Sequence, residues 1–459
     1  MTLIPLLKDP ALNNQKLQHL HSTGILRREL LQVGFSGLFG LSMGNLGFTA
    51  SLNTKKPKSV ILVFLTGASS HIDMFDMKPD APVEIRGEFK PISTNVSGIQ
   101  ISEHLPMLAM RANKYALVRS MAHKENNHLV ATHHTITGHQ QPGGFFDKVA
   151  SRDDWPSFSS ALDYLRPRSD GIPSGINLPT FLLEGPLTWP GQHAGFLGPR
   201  HDPWQINQDP AKPDFKVDNV SLFPGIGIDR VNERNLLLKQ VNDQQKNLES
   251  IASTKRLAHQ QELALSVLAS GKIAKAFDLN LEPLASRNRY GNHSFGQSLL
   301  LARRLSQAGV PVVQANMGRV QNWDTHGNNF NRLKNELLPP LDRGVSCLLD
   351  DLESTGQLEE TLVIVTGEFG RTPKISGNGR DHWAACYTTL FAGAGVKGGN
   401  VIGKSDKIAA YPVTVPFTPD DLGATVYHAL GIEPDAEIVD RQKRPSQLNR
   451  GKVMDCLFA

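Results

Sequence analysis

Residues 361–373 read TLVIVTGEFGRTP, and this stretch indicates the class of fold more clearly than any other part of the chain. Thr361–Val365 is a continuous apolar and β-branched run, as expected for a strand buried on both faces of a parallel sheet. Glu368 and Arg371 follow it directly. An open α/β sheet places its chemistry at the carboxyl ends of such strands. The stretch therefore predicts a buried strand that leads into a functional edge.

Similar strand-like runs alternate with helical patterns along the whole chain. Strands are predicted at Ser59–Leu65, Tyr115–Met121, Val310–Ala315, Thr388–Ala392 and Asn400–Ile402. Helices are predicted at 295–308, 328–355 and 420–430, with a break at Pro339-Pro340. This alternation predicts the α/β class: a three-layer sandwich in which helices cover a mainly parallel central sheet.

Residues 140–230 have a different composition. Pro, Gly, Trp and Asp are frequent there and helical periodicity is poor, so we expect an irregular insertion that caps the site. The following segment, 231–277, is strongly helical in pattern. We therefore predict one α/β domain over residues 52–459, with its insertion at about 140–230.

The amino-terminal region has the features of an export signal. Arg27 and Arg28 precede the run Val33–Ala50, which is apolar, rich in glycine and free of charge. This pattern predicts a twin-arginine-type signal over residues 1–51 and a periplasmic or extracellular protein. A buried helix or an uncleaved membrane anchor is the alternative. Elsewhere no apolar run approaches the roughly 20 residues that a membrane span needs.

The composition excludes several classes of protein. The net charge is +4 over 459 residues without a dense Lys/Arg stripe, which argues against a nucleic-acid partner. The three cysteines form no CxxC pair, so a zinc ribbon is excluded. The sequence also lacks GxxxxGK[ST], HExxH and GxSxG motifs, which argues against P-loop, zincin and typical α/β-hydrolase proteins.

Three clusters of acids and histidines are candidates for the chemistry. The first follows Ser59–Leu65, where Ser69, Ser70, His71 and Asp73 could supply a hydroxyl, an imidazole and a carboxylate. A polar turn is the alternative. The second places five of the sixteen histidines within residues 123–139.

Neutral imidazole binds metals and transfers protons near neutral pH. A single histidine is usually structural. The density of the second cluster nevertheless predicts that at least one of His123, His128 and His134 lines the site.

The third cluster lies in residues 323–327 and 366–383. Asp324 and His326 are two positions apart, so on an extended segment both could bind one metal, or one could orient the other. The planar guanidinium of Arg371 suits paired hydrogen bonds to a tetrahedral oxyanion. A Glu–Arg ion pair that only holds a loop is the alternative. His382 follows a glycine-rich loop.

Together these motifs resemble the DUF1501 family, within the alkaline phosphatase/sulfatase-like superfamily. The resemblance extends from Arg27 to about Pro434 and implies an exported protein with an alkaline phosphatase-like α/β sandwich. It rests on the Arg-Arg leader and on these motifs: residues 70–79 (SHIDMFDMKP), 286–291 (SRNRYG), 301–305 (LARRL), 323–326 (WDTH), 367–373 (GEFGRTP) and 380–383 (RDHW).

This chain departs from the superfamily's pattern at three places. The metal-binding Asp-Gly after the first strand is matched by Thr66-Gly67. The nucleophile position, nine residues before the Thr of a Thr-Gly pair, falls on His128 when counted from Thr137. The late Asp-His-Gly falls on Glu368-Phe369-Gly370. A formylglycine sulfatase or a conventional two-zinc phosphatase is therefore not expected.

The resemblance and the clusters together predict an exported metal-dependent hydrolase of phosphate or sulfate esters with a divergent active site. Its substrate would be a small-molecule or glycan ester. His128 or His71 would be the acid/base or, as the alternative, the nucleophile, and Arg371 would stabilise the anion. The metal is predicted to be zinc, with calcium or manganese as alternatives, and its expected ligands are Asp324, His326, Glu368, His382 and Asp73.

A second hypothesis is a non-catalytic envelope protein that binds sulfated or phosphorylated glycans, or a protein partner. The missing Asp at Thr66 and the missing nucleophile favour it. In either case a membrane would be involved only in export or through an uncleaved anchor.

Overall fold

The computed structural model describes residues 59–143, 149–217 and 271–458. The predicted export signal and most of the predicted helical segment 231–277 lie outside the described residues. Among the helices of the described ranges, none combines the length and apolarity that crossing a bilayer requires.

One mainly parallel sheet forms the centre of the fold, as predicted. Its strands are Ser59–Phe64 (β1), Tyr115–Met121 (β2), Gly175–Leu178 (β3), Trp204–Gln205 (β4), Val312–Asn316 (β5), Thr361–Thr366 (β6), Tyr387–Ala392 (β7) and Asn400–Ile402 (β8). Their order across the sheet is β8-β2-β7-β6-β1-β5-β3-β4. Strand β1 lies between β6 and β5 and is parallel to both. Only β7 is reversed, antiparallel to β6 and to β2.

Helices cover both faces of the sheet, which gives three layers with a large hydrophobic core on each face. Side chains of β1 alternate between the two cores, with Ile61 and Val63 in one core and Val60 and Leu62 in the other. Such alternation is the period-2 consequence of a strand covered on both faces. The main helices are His128–Thr137 (α1), Phe158–Leu165 (α2), Ser294–Gln307 (α3), Leu338–Ser354 (α4) and Pro419–Ala429 (α5). Helices α3 and α4 contribute to the first core, and α1, α2 and α5 to the second.

Shorter elements complete the described part of the chain. Short helices lie at Val83–Arg86, Pro106–Ala109, Lys272–Phe277, Leu284–Tyr290 and Asn329–Arg332. A π-helical stretch, Leu333–Leu337, leads into α4. Pro339 and Pro340 in the first turn of α4 cannot donate backbone N–H groups, which accounts for the wider turn before them. Two-stranded ladders pair Pro91–Ser93 with Gln100–Ser102, Leu183–Glu184 with Leu187–Thr188, Gly370–Arg371 with His382–Trp383, and Glu437–Val439 with Pro445–Gln447.

The segment predicted as an irregular insertion is irregular over most of its described length. It nevertheless supplies α2 and the strands β3 and β4, which extend the central sheet beyond β5. The sequence did not indicate these strands, because runs of four and two residues are too short to show a period. Part of this segment therefore belongs to the sheet.

Candidate metal centre

Four segments meet at the carboxyl edge of the sheet. They are the turn after β1, the loop after β5, the loop between β6 and β7, and the first turn of α1. Helix α1 begins at His128 because the Asn127 side chain caps it, accepting the N–H groups of Leu129 and Val130. This cap places His128 in the first helical turn, at the edge of the sheet.

Buried Trp323 fixes the loop that carries Asp324. Its backbone N–H donates to the Thr66 carbonyl at 2.8 Å, and its indole N–H donates to the Met317 carbonyl at 3.2 Å. His382 lies on the short ladder between β6 and β7, directly opposite Arg371.

Three predicted site residues come together here. His128, Asp324 and His382 each offer an atom within 4.8 Å of the others, an arrangement that could hold a metal ion. His128 Nε2 lies 3.4 Å from Asp324 Oδ2, and His382 Nε2 lies 3.2 Å from Asp324 Oδ1. His326 stands beside them, with its Nε2 3.1 Å from Asp324 Oδ1 and 2.9 Å from His382 Nε2.

In each of the three imidazoles Nδ1, the nitrogen on the far side from Asp324, is hydrogen-bonded to a protein oxygen. Each Nδ1–H donates to an oxygen: His128 to Glu368 Oε1 at 2.6 Å, His382 to the Asn126 carbonyl at 2.7 Å, and His326 to Asp381 Oδ1 at 2.7 Å. In the neutral imidazoles this pattern leaves the three Nε2 lone pairs on the side of Asp324, as in histidines that bind metals.

The donor set fits a divalent cation. His128 Nε2 is buried and has no hydrogen-bond partner. The Nε2 atoms of His326 and His382 face each other at 2.9 Å, which requires a cation or a shared proton between two lone pairs. Imidazole with one carboxylate is a typical zinc set, whereas calcium prefers oxygen ligands.

Solvent exposure shows on which side the centre is open. The exposed fraction rises from 6 % for His128 to 15 % for Asp324, 24 % for His382 and 46 % for His326. Among the described residues of the cluster, the side of His326 is therefore the most open to a ligand.

The local charges polarise the cluster strongly. Burial by itself would lower the pKa of His128, but the neighbouring carboxylates of Asp324 and Glu368 outweigh burial and raise this pKa to about 9, so a cation bound here would replace the proton on Nε2. Burial would raise the pKa of Asp324, but the histidines and the Arg371 guanidinium hold it far below its usual range. Asp324 is therefore a carboxylate at neutral pH.

Aromatic rings wall the inner side of the centre. His128 is stacked against Phe369 at 4.9 Å and against Trp189 at 5.7 Å between ring centroids. Phe369 also packs against the His382 ring at 4.8 Å. Trp189 comes from the predicted insertion, and nothing in the sequence pointed to this contact.

Glu368, predicted as a metal ligand, lies behind the ligand cluster. Its carboxylate is fully buried and accepts the backbone N–H groups of Gly67 and Ala68 at 2.9 and 3.0 Å, as well as His128 Nδ1–H. These donors occupy both oxygens, so the carboxylate is directed away from the open side.

Arg371, predicted to bind the anion, lies beneath the cluster. This side chain is fully buried. It donates to the carbonyls of Gly67, Ala68 and Arg380 and contacts Asp324 Oδ1 at 2.5 Å. The alternative, an arginine that holds a loop, is closer to what is observed, although its acidic partner is Asp324.

His71 and Asp73 also lie outside the ligand cluster. His71 is buried, and its Nε2–H donates to the Ala409 carbonyl at 3.0 Å. Asp73 forms a bidentate ion pair with Arg380, with both contacts at 2.8 Å, and neither side chain is exposed. A metal role for Asp73 and an acid/base role for His71 therefore find no support in the geometry.

The other histidines of the second cluster are structural. Burial is the main reason that the pKa values of His123 and His133 are lowered to about 3. Each histidine has a polar partner: His123 bonds to the Glu368 carbonyl, His133 to that of His139, His139 to that of Leu448, and His134 to Asp420. Only His128 of this cluster reaches the centre.

Comparison with known proteins gave one family and several structures. The model of a family described as "Protein of unknown function (DUF1501)" matches residues 57–458. A search of curated proteins gave no match.

The solved structures that are similar to this chain include sulfatases and phosphatases. PsFucS1 sulfatase from Pseudoalteromonas sp. is 11 % identical, with a TM-score of 0.39 over 95 % of this chain and 77 % of that chain. An alkaline phosphatase superfamily protein from Vibrio parahaemolyticus is 10 % identical (TM-score 0.37; 86 % and 69 % covered). Alkaline phosphatase from the Antarctic bacterium TAB5 is 13 % identical (TM-score 0.36; 83 % and 99 % covered).

Proposed function

This chain belongs to the DUF1501 family, and we propose that it is an exported metal-dependent hydrolase of phosphate or sulfate esters. One observation carries the proposal: three imidazole Nε2 atoms face one ionised carboxylate at the carboxyl edge of the sheet. This is the edge at which α/β proteins bind substrates.

His128, Asp324 and His382 would hold the ion, with His326 beside them at the open edge. A divalent cation bound there would supply Lewis-acid catalysis of ester hydrolysis. Two imidazole donors and one carboxylate favour zinc over calcium or magnesium.

The surrounding residues would prepare the centre for this chemistry. Glu368, the Asn126 carbonyl and Asp381 hold the imidazoles in one tautomer. Phe369 packs against both His128 and His382, which limits water on the inner side. An ester would enter past His326, where the exposure is greatest.

Export is the part of the proposal that rests on sequence alone. Arg27 and Arg28 with the apolar run that follows them support a twin-arginine-type route to the periplasm or the exterior. A fusion of residues 1–58 to a reporter tests this. Export that survives Arg27→Lys/Arg28→Lys would contradict it.

The catalytic proposal is tested on the purified full chain. Metal content is measured by mass spectrometry, and turnover is measured on aryl phosphates, aryl sulfates and phosphodiesters, with and without a chelator. We expect about one zinc per chain and turnover that the chelator and Asp324→Asn both abolish. A metal-free wild type, or turnover that is the same in Asp324→Asn, would refute the proposal.

A non-catalytic function is the second candidate, and the position of Arg371 favours it. The guanidinium expected to stabilise the reacting anion is buried against backbone carbonyls. The protein would then bind sulfated or phosphorylated glycans without cleaving them. Calorimetry with these glycans, beside the turnover panel, distinguishes the two functions: binding without turnover supports the second.

A further inference from the structure

Glu368 connects the turn after β1 with the ligand cluster. Its Oε1 accepts both Gly67 N–H at 2.9 Å and His128 Nδ1–H at 2.6 Å, and its Oε2 accepts Ala68 N–H at 3.0 Å. The side chain is fully buried. One carboxylate therefore joins a backbone turn to the imidazole.

The turn that holds Glu368 is itself fixed. Gly67 and Ala68 both have positive φ, 102° and 64°, which directs their successive N–H groups to one point, as in anion-binding nests. A Cβ on Gly67 would lie 2.8 Å from the Asp324 nitrogen, so glycine is required at this close approach. Arg371 binds the carbonyls of the same two residues.

The chemistry of a carboxylate sets the tautomer of His128. A carboxylate that meets three N–H donors can only accept, so His128 must carry its proton on Nδ1. In the neutral imidazole the Nε2 lone pair is then free, and Nε2 lies 3.4 Å from Asp324 Oδ2. Stacking of Phe369, the next residue, on the His128 ring fixes the plane of the imidazole.

We infer that Glu368 is a positioning residue of the metal centre, which holds His128 in the metal-binding tautomer through its anchor on the Gly67–Ala68 turn. This inference rests on the proposed metal site and replaces the role of Glu368 as a ligand. It concerns metal affinity and does not depend on which ester, if any, is cleaved.

Glu368→Gln is the sharpest test because it keeps the shape of the side chain. Its amide has a single acceptor oxygen, so either His128 or the backbone turn must face an N–H group. We expect zinc affinity, measured by competition with a chromophoric chelator, to fall about 10–100-fold. The visible absorption of the cobalt(II) form, a readout independent of activity, is expected to change as well.

Asp342→Asn is the matched control. Asp342 is also buried and accepts two backbone N–H groups, those of Met107 and Leu108 at 2.9 and 2.7 Å. It has no contact with the cluster, so zinc affinity should be unchanged. Equal losses in both variants would mean that any buried carboxylate matters, and would overturn the inference.

A second variant and a double variant keep the test decisive. Glu368→Asp retains the charge but is one methylene short of spanning from the turn to His128, so we expect a loss comparable to that of Glu368→Gln. In a His128→Ala background, Glu368→Gln should cause no further loss of zinc affinity. A full additional loss there would show that Glu368 does not act through His128.

The outcomes separate this inference from the proposed function. If the wild type binds zinc and Glu368→Gln binds it within about threefold of the wild type, the positioning role is wrong. If zinc affinity falls as expected but no ester is cleaved, the positioning role stands and the hydrolase proposal fails. A wild type that binds no zinc refutes both.

Discussion

Two Asp–Arg pairs lie near the carboxyl edge of the sheet, and they differ in what surrounds the carboxylate. Asp73 and Arg380 are both fully buried and meet through two contacts of 2.8 Å. Asp73 also accepts Ser70 Oγ–H at 2.6 Å and Asn329 Nδ2–H at 2.9 Å. Its oxygens are thus enclosed by donors.

Asp324 and Arg371 form the open pair. Arg371 contacts Oδ1 of Asp324 at 2.5 Å, and the Nε2 atoms of His326 and His382 lie 3.1 and 3.2 Å from the same oxygen. The other oxygen, Oδ2, lies 3.4 Å from His128 Nε2. The same two residue types therefore form a buried structural ion pair in one place, and in the other an ion pair whose aspartate is a candidate metal ligand. Free acceptor capacity distinguishes them, and it is a property of the folded chain.

Mutation of the closed pair should cause the largest loss of stability. Asp73→Asn leaves the Arg380 charge buried without a counter-charge, and we expect a loss of about 3–5 kcal/mol in the free energy of unfolding. Denaturation in urea measures it. Asp381→Asn, at an exposed aspartate, serves as the control and should cost about 0.5 kcal/mol or less. A loss below about 1 kcal/mol for Asp73→Asn would contradict the comparison.

Mutation of the open pair should lower zinc affinity strongly and the free energy of unfolding only slightly. Asp324 is partly exposed whereas Asp73 is not, so solvent screens the charge that Asp324→Asn leaves on Arg371, and we expect unfolding to become easier by only about 1–2 kcal/mol. Zinc affinity should fall by more than roughly 100-fold, because losing a metal ligand costs more than losing a residue that only hydrogen-bonds a ligand. Competition titration and urea denaturation on the same samples measure both. An unfolded Asp324→Asn protein would mean that the two pairs do not differ.

Asp342 extends the comparison to a buried aspartate that is bound by backbone N–H groups. Burial raises its pKa to about 6, above the ordinary value of 3.8. The folded state therefore binds this proton more tightly than the unfolded state, and stability falls as pH rises from about 4 to 6. We expect about 3 kcal/mol from this group, which Asp342→Asn should remove from the pH profile. Identical profiles for the two proteins would show that Asp342 does not titrate in this window.

The smallest effect is expected at the exposed edge of the centre. Asp381 holds His326 by one bond, and both side chains are about half exposed, so water can replace Asp381 as the acceptor. Zinc affinity in Asp381→Asn should fall less than tenfold, well below the loss in Glu368→Gln. Equal losses in the two variants would mean that burial of the outer partner is unimportant.

The sequence predicted the sheet well because buried parallel strands are continuous apolar runs. The runs Tyr115–Met121 and Thr361–Val365 both became strands of the central sheet. It also predicted that Asp324, His326 and His382 would meet, since all three follow strands that end at one edge. The short strand Gly175–Leu178 was missed because four residues give no periodic signal.

The direction of each side chain could not be read from the sequence. His71 and Asp73 lie in the predicted motifs, yet they bind the Ala409 carbonyl and Arg380. Glu368 and Arg371 contact His128 and Asp324 from behind the cluster and also bind the backbone of the turn after β1. A turn residue points where its tertiary partners allow, and those partners are hundreds of positions away. The motifs therefore indicated the neighbourhood of these residues, whereas the tertiary fold decides which partner each side chain contacts.

The reversed strand β7 has a consequence for the order in which the centre is assembled. Because β7 returns beside β6, residues 367–386 close as a local connection, and Glu368, Arg371 and His382 can come together early. Pairing of β1 with β6 instead joins residues that are 302 positions apart in the sequence. Glu368 and His128, which form a hydrogen bond, are 240 positions apart. Such long-range closures are slow. Zinc uptake should therefore mark the last stage of folding, and a chain stalled before β1 has docked should take up none.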